Sequence, residues 1–495
     1  MKRFVGLGVA CAVCALLVLL WGCGGGGGDA SDSGVGPGSG TNDPVPGDPI
    51  PPWPDLTDIA ADWYAAPDGA AGAAGSADAP LDLATLLDAD GPVQPGQRVA
   101  LQAGTYRGRF TCRVSGTKGA PIVFSAVPGA RVTLDGHRPG ASASDDAVLT
   151  LDQNCEWVAF HGLEITHGLD DRDAMVDGVA FFAANAMLIN SVIHDTSQGV
   201  GFWRPAEDSA LYGNIIYNNG YEGSSRGHGH AIYTQNRYGI KRIVGNILFF
   251  GYGYGIHAYT EGGYLRGFDI LDNVWFRTGA SRPGSSTGGT SDGCLVGGLQ
   301  PVARTRLEGN HSWAPTTSGR SLRLGWGESV DNEDIILTDN YIVGQVNVQG
   351  NWATDTCIVD YNRFHSSPNQ IDPTLFPDNI YTTQLPVGSK VVVQTNDYDD
   401  ARADLIVYNW NDLPHVPVDL SALLIPGAAY RIYSVFDLWG GPVTGGVYDG
   451  NDIAIPMGTK AAPQPRGDSQ GITGDDDPGR TFGVFILRAD RPFGD

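Results

Sequence analysis

Asn214-Ile215-Ile216-Tyr217, Asn246-Ile247-Leu248-Phe249 and Asn273-Val274-Trp275-Phe276 begin on the same residue and continue with apolar, strand-forming ones. The pattern runs outward in both directions. Gly162-Leu163-Glu164-Ile165 and Asn190-Ser191-Val192-Ile193 precede it, and Asn310-His311-Ser312-Trp313, Asn340-Tyr341-Ile342-Val343 and Asn362-Arg363-Phe364-His365 follow it. Successive offsets are 28, 24, 32, 27, 37, 30 and 22 residues. A floor near 22 with longer excursions fits one solenoid coil carrying occasional loop insertions. Leucine-rich repeats have a similar period, but their leucine consensus is lacking here. The asparagine column is expected at one turn of successive coils, each side chain bonding the coils above and below.

A second column follows the first. Its strands are Gly178–Phe182, Gly199–Trp203, Ala231–Gln235, Gly255–Tyr259, Gly293–Gly297 and Ser321–Gly325. Side chains alternate along a strand, so placing Val179, Val200, Ile232, Ile256, Cys294 and Leu322 inward sends their neighbours outward. The outward set is Ala180, Gly201, Tyr233, His257, Leu295 and Arg323, with Phe182, Trp203, Gln235 and Tyr259 two positions on. That face is aromatic and polar in its middle coils.

Leu101-Gln102-Ala103-Gly104-Thr105-Tyr106, Gly116-Thr117 with Ala120-Pro121-Ile122, Pro128-Gly129-Ala130-Arg131-Val132 and Asp135-Gly136 resemble the opening coils of pectate-lyase-like right-handed β-helix proteins. The run from Gly201 to Asp208 and the run from Arg226 to Asn236 (RGHGHAIYTQN) resemble a bacterial lipoprotein subfamily of them. The resemblance spans roughly Ala79 to His365. It implies an all-β chain, a right-handed parallel β-helix, and action on a polysaccharide. The superfamily holds lyases, hydrolases, esterases, epimerases and structural proteins, so the reaction has to be argued from the site.

The flanks read differently. Met1-Lys2-Arg3 followed by the apolar run Phe4 to Leu20 has the form of a signal segment. Leu20-Trp21-Gly22-Cys23 resembles the lipobox of bacterial lipoproteins, which implies a signal peptide over 1–23, lipid on Cys23 and a membrane-anchored protein of the bacterial cell envelope. Gly24 after the cysteine resembles the pattern of lipoproteins sent to the outer membrane. Residues 24–62 are rich in Gly, Pro, Ser and Asp and read as a solvated tether. The β-helix is expected over 63–370, with one short helix around Leu81–Leu87 started by Pro80 and Asp82. After Pro368 short strands with Gly-Gly and Asp-Gly turns predict a small antiparallel β-sandwich over 385–495. Asp475-Asp476-Asp477 lies in its last long loop, where a calcium site competes with a plain solvated acidic loop.

Composition bounds the partners. Fifty-five acidic residues against 31 basic ones give a net charge of −24, which argues against a nucleic-acid binder in need of basic patches. Cys112, Cys155, Cys294 and Cys357 remain beyond the signal segment. They allow three pairings in an oxidising compartment but are read as buried free thiols, and no spacing resembles a metal knuckle. The chain is read as a monomer.

The chemistry is expected on the second-column face. The two longest offsets place extra residues around Glu222–His230 and Ser281–Asp292, just ahead of outward strands, where loops build a groove wall. Arg226, His230, Tyr233 and His257 are the candidate catalytic residues, and Trp203, Gln235, Tyr259 and Arg323 the substrate-binding ones. β-Elimination of a uronate needs a cation to neutralise the carboxylate, for which Arg226 serves. It also needs a base and an acid, for which His230, His257 or Tyr233 serve. Characterised lyases of this fold tend to use Lys or Arg as base, and Lys241 is placed by its register off the groove. The rivals are a hydrolase using two of Asp173, Asp177, Asp208, Glu222, Glu261 and Asp292, and a glycan-binding β-helix whose histidines form a structural stack.

Overall fold

The computed structural model describes residues 60–137, 147–223, 227–281, 291–327, 330–366, 371–468, 472 and 477–493. Cys23 and Arg226 lie outside them, as does most of the Ser281–Asp292 insertion.

Short parallel strands stack into three long sheets, and each coil visits them in turn. The first face has twelve strands, from Trp63–Ala65 to Ile358–Asp360. The second has eleven, from Gly104–Arg107 to Ile380–Thr382, and the third has nine, from Phe110–Cys112 to Gln345–Val348. The interior is apolar: Val179, Val200, Ile232, Ile256, Cys294 and Leu322 form one inward column. Phe124 stacks on Phe160 at 5.0 Å, and Phe181 meets Phe202 at 5.0 Å. Each such side chain withdrawn from water contributes about 1.5–3 kcal/mol. The one α-helix among the described residues, Leu83–Leu87, begins at Asp82, whose side chain accepts the Thr85 N–H at 3.0 Å.

The asparagine ladder sits at the turn between the first and second faces. Asn214, Asn246, Asn273, Asn310, Asn340 and Asn362 each donate from Nδ2 to the next Oδ1 at 2.8–3.1 Å, and Asn379 closes the column. The same Oδ1 atoms accept the backbone N–H of the preceding ladder residue, as in Asn246 N to Asn273 Oδ1 at 2.9 Å. Two members of the expected column, Gly162 and Asn190, are displaced by one residue, and Leu163 and Ser191 stand at the ladder position instead. Ser191, not Asn190, occupies the ladder position, its N–H donating to Asn214 Oδ1 at 3.0 Å. Asn190 is the residue before it and turns the chain with φ 49, as Gly213, Gly245, Asp272 and Gly309 do in other coils. Asparagine suits both positions, since it tolerates the left-handed region and hydrogen-bonds a neighbouring coil.

Beyond Ile380–Thr382 a five-stranded antiparallel sheet forms in the order Ser389–Thr395, Arg402–Asn409, Phe482–Ala489, Ala429–Ser434, Thr444–Val447. A two-stranded ribbon, His415–Val418 with Ile453–Pro456, covers one side of it. Period-two alternation explains why the strand Arg402–Asn409 is buried throughout. Ala403, Leu405 and Val407 face the ribbon, whereas Ile406 and Tyr408 join Phe249, Phe276 and Trp313 of the second β-helix face. Arg402 donates to Asn190 Oδ1 at 2.9 Å, so the displaced asparagine is part of this junction.

A buried charged cluster lies on the same second face. His194 bridges Glu164 (Nε2 to Oε1, 3.1 Å) and Asp195 (Nδ1 to Oδ2, 2.9 Å), and Asp195 also accepts the Arg466 N–H at 2.8 Å. Arg131 pairs with Glu164 and Arg172 with Asp195. Burial works against a charged His194, but its hydrogen bonds to Asp195 and Glu164 overcome that and raise its pKa to about 9. Burial likewise opposes ionisation of Glu164, yet its bonds from His194, Arg131 and Thr133 lower it to about 2.

Candidate functional site

The third face carries the predicted register. Val200, Ile232 and Ile256 pair in line, and Gly201, Tyr233, His257, Leu295 and Arg323 share the next position. Tyr233 and His257 are therefore neighbours across one strand spacing, with ring centroids 5.4 Å apart. Trp203 and Tyr259 extend the patch. Trp203 packs edge-on to Tyr233 at 5.5 Å and stacks on Phe182 at 6.1 Å, while Tyr259 stacks on His257 at 5.0 Å. Gln235 donates from Nε2 to the Tyr233 hydroxyl at 3.2 Å.

The Glu222–His230 insertion enters this face as a short antiparallel hairpin, Tyr221–Glu222 with Gly227–His228, and His228 stacks on Tyr221 at 5.3 Å. It delivers His230 beneath the patch. His230 Nε2 lies 3.1 Å from His257 Nδ1, and His230 Nδ1 accepts the Tyr254 backbone N–H at 3.1 Å. These two bonds fix the tautomers of a neutral pair. A nitrogen that accepts an amide proton carries none, so His230 is protonated on Nε2 and donates to His257 Nδ1. His257 is then protonated on Nε2. Both rings are buried, at 6% and 8% exposure.

Tyr254 is the residue that sequence reasoning misses. Its ring stacks on His257 at 4.3 Å and an interplanar angle of 9°, and its amide orients His230. The signal lies in Gly253-Tyr254-Gly255: a Cβ on Gly253 would fall 1.9 Å from the Gly229 carbonyl oxygen and 2.5 Å from His230 Nδ1. The glycine permits the close approach that makes the bond.

Other expected residues lie apart from this cluster. Arg323 is two coils further along, ion-paired with the buried Asp292 at 3.2 Å and stacked over Trp326 at 4.9 Å. Trp326 packs edge-on to Tyr259 at 5.8 Å, which links that end of the face to the patch. Burial pushes the Asp292 carboxyl up, and Arg323 and Arg320 act against the rise. The rival carboxylates are engaged locally: Asp177 accepts from Ser197 Oγ at 2.6 Å, Asp208 from Ile240 N–H at 2.9 Å, and Glu261 from Tyr259 hydroxyl at 3.3 Å. Lys241 is off the groove and fully buried, with Nζ donating to the carbonyls of Phe202, Trp203 and Gln235 at 2.8, 2.5 and 2.8 Å. Burial drives its pKa well down, only partly countered by Glu207.

No group of three or more His, Cys, Asp or Glu residues is placed to hold a metal among the described residues. Of the Asp475–Asp477 triplet only Asp477 is described, and its carboxylate accepts the N–H groups of Gly479 at 2.8 Å and Ala462 at 3.3 Å. A carboxylate so committed does not make a calcium site by itself. The four cysteines are free and buried, with Cys112 and Cys155 sulfurs 3.3 Å apart.

No family model matches the chain. A stretch of 120 residues, 22% of this chain, is 38% identical to pectate lyase PEL9 of Emericella nidulans, and the chain spans 29% of that relative's length. Among solved structures, the pectate lyase Pel9A is matched at TM-score 0.43 and 18% identity over 62% of this chain and 81% of that one. An alginate lyase from Paenibacillus sp. is matched at TM-score 0.39 and 17% identity over 60% and 96%.

Proposed function

We propose that this protein is a carbohydrate-active enzyme of the polysaccharide-lyase type, acting in a groove along the third face. The observation that carries the reading is the continuous run of Trp203, Tyr233, His257 and Tyr259 over adjacent coils, joined from below by His230. Such a run offers sugar rings a stacking platform next to titratable groups. The partial identity to a fungal pectate lyase supports the same class.

In a β-elimination the C5–H and C4–O bonds break and a C4=C5 double bond forms. Arg226 is assigned to neutralise the uronate carboxylate. The tautomers divide the remaining work. His257, protonated on Nε2, donates to the departing C4 oxygen. Tyr233, whose oxygen accepts from Gln235, acts as the phenolate: it takes the C5 proton to become the phenol and then returns a proton to the neighbouring His257, which restores both groups. Trp203 and Tyr259 hold the sugar rings, and Arg323 serves a more distant subsite. A lipid on Cys23 would tether the enzyme to the cell envelope, where extracellular polysaccharide is the available substrate. The test is a panel of acidic and neutral polysaccharides assayed for reducing ends and for the ultraviolet absorbance of unsaturated uronates. Both signals rising together supports the lyase, and reducing ends alone would replace it with a hydrolase.

One observation favours a second reading. The low exposure of His230 and His257 suits a stacked structural pair under a glycan-binding surface, in which case neither signal rises although polysaccharide is retained.

A further inference from the structure

The seam between the last coils and the C-terminal sheet holds a cavity of about 420 Å³, within the usual size of a small-ligand site. Its floor comes from the outward side of the second face. Tyr341 pairs in register with Arg363, and His365 with Thr382. The connecting segment from Gln384 to Val387 makes a wall, and Lys390, on the first strand of the C-terminal sheet, closes it.

Charge makes this cavity unusual in a chain of net −24. Among the described residues it is lined by Arg363 and Lys390 and by no Asp or Glu. Neither cation pairs with a carboxylate among the described residues. Lys390 Nζ instead sits 5.2 Å from the Tyr341 ring centroid. Burial and the nearby Arg363 both lower the Lys390 pKa, as expected of two like charges left facing one another. Other surface cations here do find partners, such as Arg480 with Asp412 and Lys460 with Asp437. The remaining lining is mixed. Leu385 and Val387 are exposed apolar side chains at 39% and 90%, and Thr382 and Gln384 are polar. His365 donates from Nδ1 to the Gln384 carbonyl at 2.9 Å, which leaves its buried Nε2 as an acceptor with no protein partner among the described residues.

We propose that this cavity binds a carboxylate-bearing monosaccharide unit, with Arg363 and Lys390 holding the carboxylate. A sugar acid matches the whole lining. Its carboxylate answers the two cations, its C–H face answers Tyr341, Leu385 and Val387, and its hydroxyls answer Thr382 and Gln384. Inorganic phosphate would satisfy the cations alone. Binding here is independent of cleavage in the groove, because the ligand needs no glycosidic bond.

The test is ligand-observed NMR titration of the full chain with D-glucuronate, D-glucose and inorganic phosphate. Glucuronate is expected to bind at least tenfold more tightly than glucose. The variant R363Q/K390Q, altered only at exposed side chains, is expected to lose at least tenfold of that affinity, and W203A to lose none. Equal binding of glucose, or undiminished binding by R363Q/K390Q, overturns the proposal. Loss of binding in W203A overturns it by placing the sugar in the groove. Phosphate displacing glucuronate at equal or lower concentration overturns the sugar assignment, since it reveals a general anion site.

Discussion

His230 Nε2 and His257 Nδ1 are 3.1 Å apart, and the Tyr254 amide on the far side of His230 gives that bond its direction. The protons point from backbone to His230 to His257, so the pair is accommodated in one neutral arrangement. A proton added at His257 Nδ1 would face the His230 proton. The site therefore presents a donor at His257, and proton abstraction has to be found elsewhere.

Tyr233→Phe tests that division of labour. It keeps the ring stack on His257 and removes the oxygen that accepts from Gln235. Lyase turnover is expected to fall roughly 10²–10⁴-fold, with the melting temperature almost unchanged. Retention of full activity, followed by unsaturated-product absorbance, removes Tyr233 from the chemistry.

Gly253→Ala should act on the same site from outside it. The added methyl meets the Gly229 carbonyl and His230 Nδ1, so the Tyr254 amide is pushed from its acceptor. Overpacking of this kind costs about 1–3 kcal/mol, and the His230 imidazole resonances should shift in NMR spectra. Unshifted resonances would show that the amide does not set the tautomer.

Stability should fall at both ends of the pH range for separate reasons. His194 has a folded pKa raised to about 9, so its contribution is fully present below its unfolded value of 6.5 and drains away as pH rises through 9. Glu164 is lowered to about 2, so its contribution is present above 4.5 and is lost as pH falls through 2. The His194–Glu164 bond enters both effects and counts once. Thermal melts are expected to drop between pH 6.5 and 9 in the native chain and to flatten over that window in His194→Gln.

Lys241→Met should destabilise the β-helix despite replacing a buried polar group by an apolar side chain. Three carbonyls lose the Nζ donor they share, and each buried unmet acceptor costs about 1–3 kcal/mol, partly relieved by other bonds. A loss of about 2–4 kcal/mol is expected in urea unfolding, with turnover of the remaining folded protein preserved. Lost turnover without lost stability would make Lys241 a participant in the reaction.

Cys112 and Cys155 should resist alkylation in the folded protein. Hydrogen bonding between the two thiols, then burial, pushes the Cys155 thiol far up, and the thiolate is the reactive form. Mass spectrometry after iodoacetamide should show both unmodified until denaturant is added.

The solenoid, its coil period and the inward–outward register of the third face are legible in the sequence because period-two alternation and a recurring asparagine are local properties of the chain. The short helix is legible for the same reason, since Asp82 caps it by bonding Thr85 only three residues on. Asn190 reads one residue out of place because asparagine serves both the left-handed turn position and the ladder. Only the pairing of Ser191 with Asn214 separates the two roles. Tyr233, His257, Trp203 and Tyr259 can be grouped from register alone, since neighbours across one strand spacing follow from alignment. The tautomer-setting amide of Tyr254, the three carbonyls around Lys241, and the cavity between Arg363 and Lys390 cannot. Each depends on how far a loop reaches or where a distant strand docks, and those are decided by packing between residues far apart in sequence.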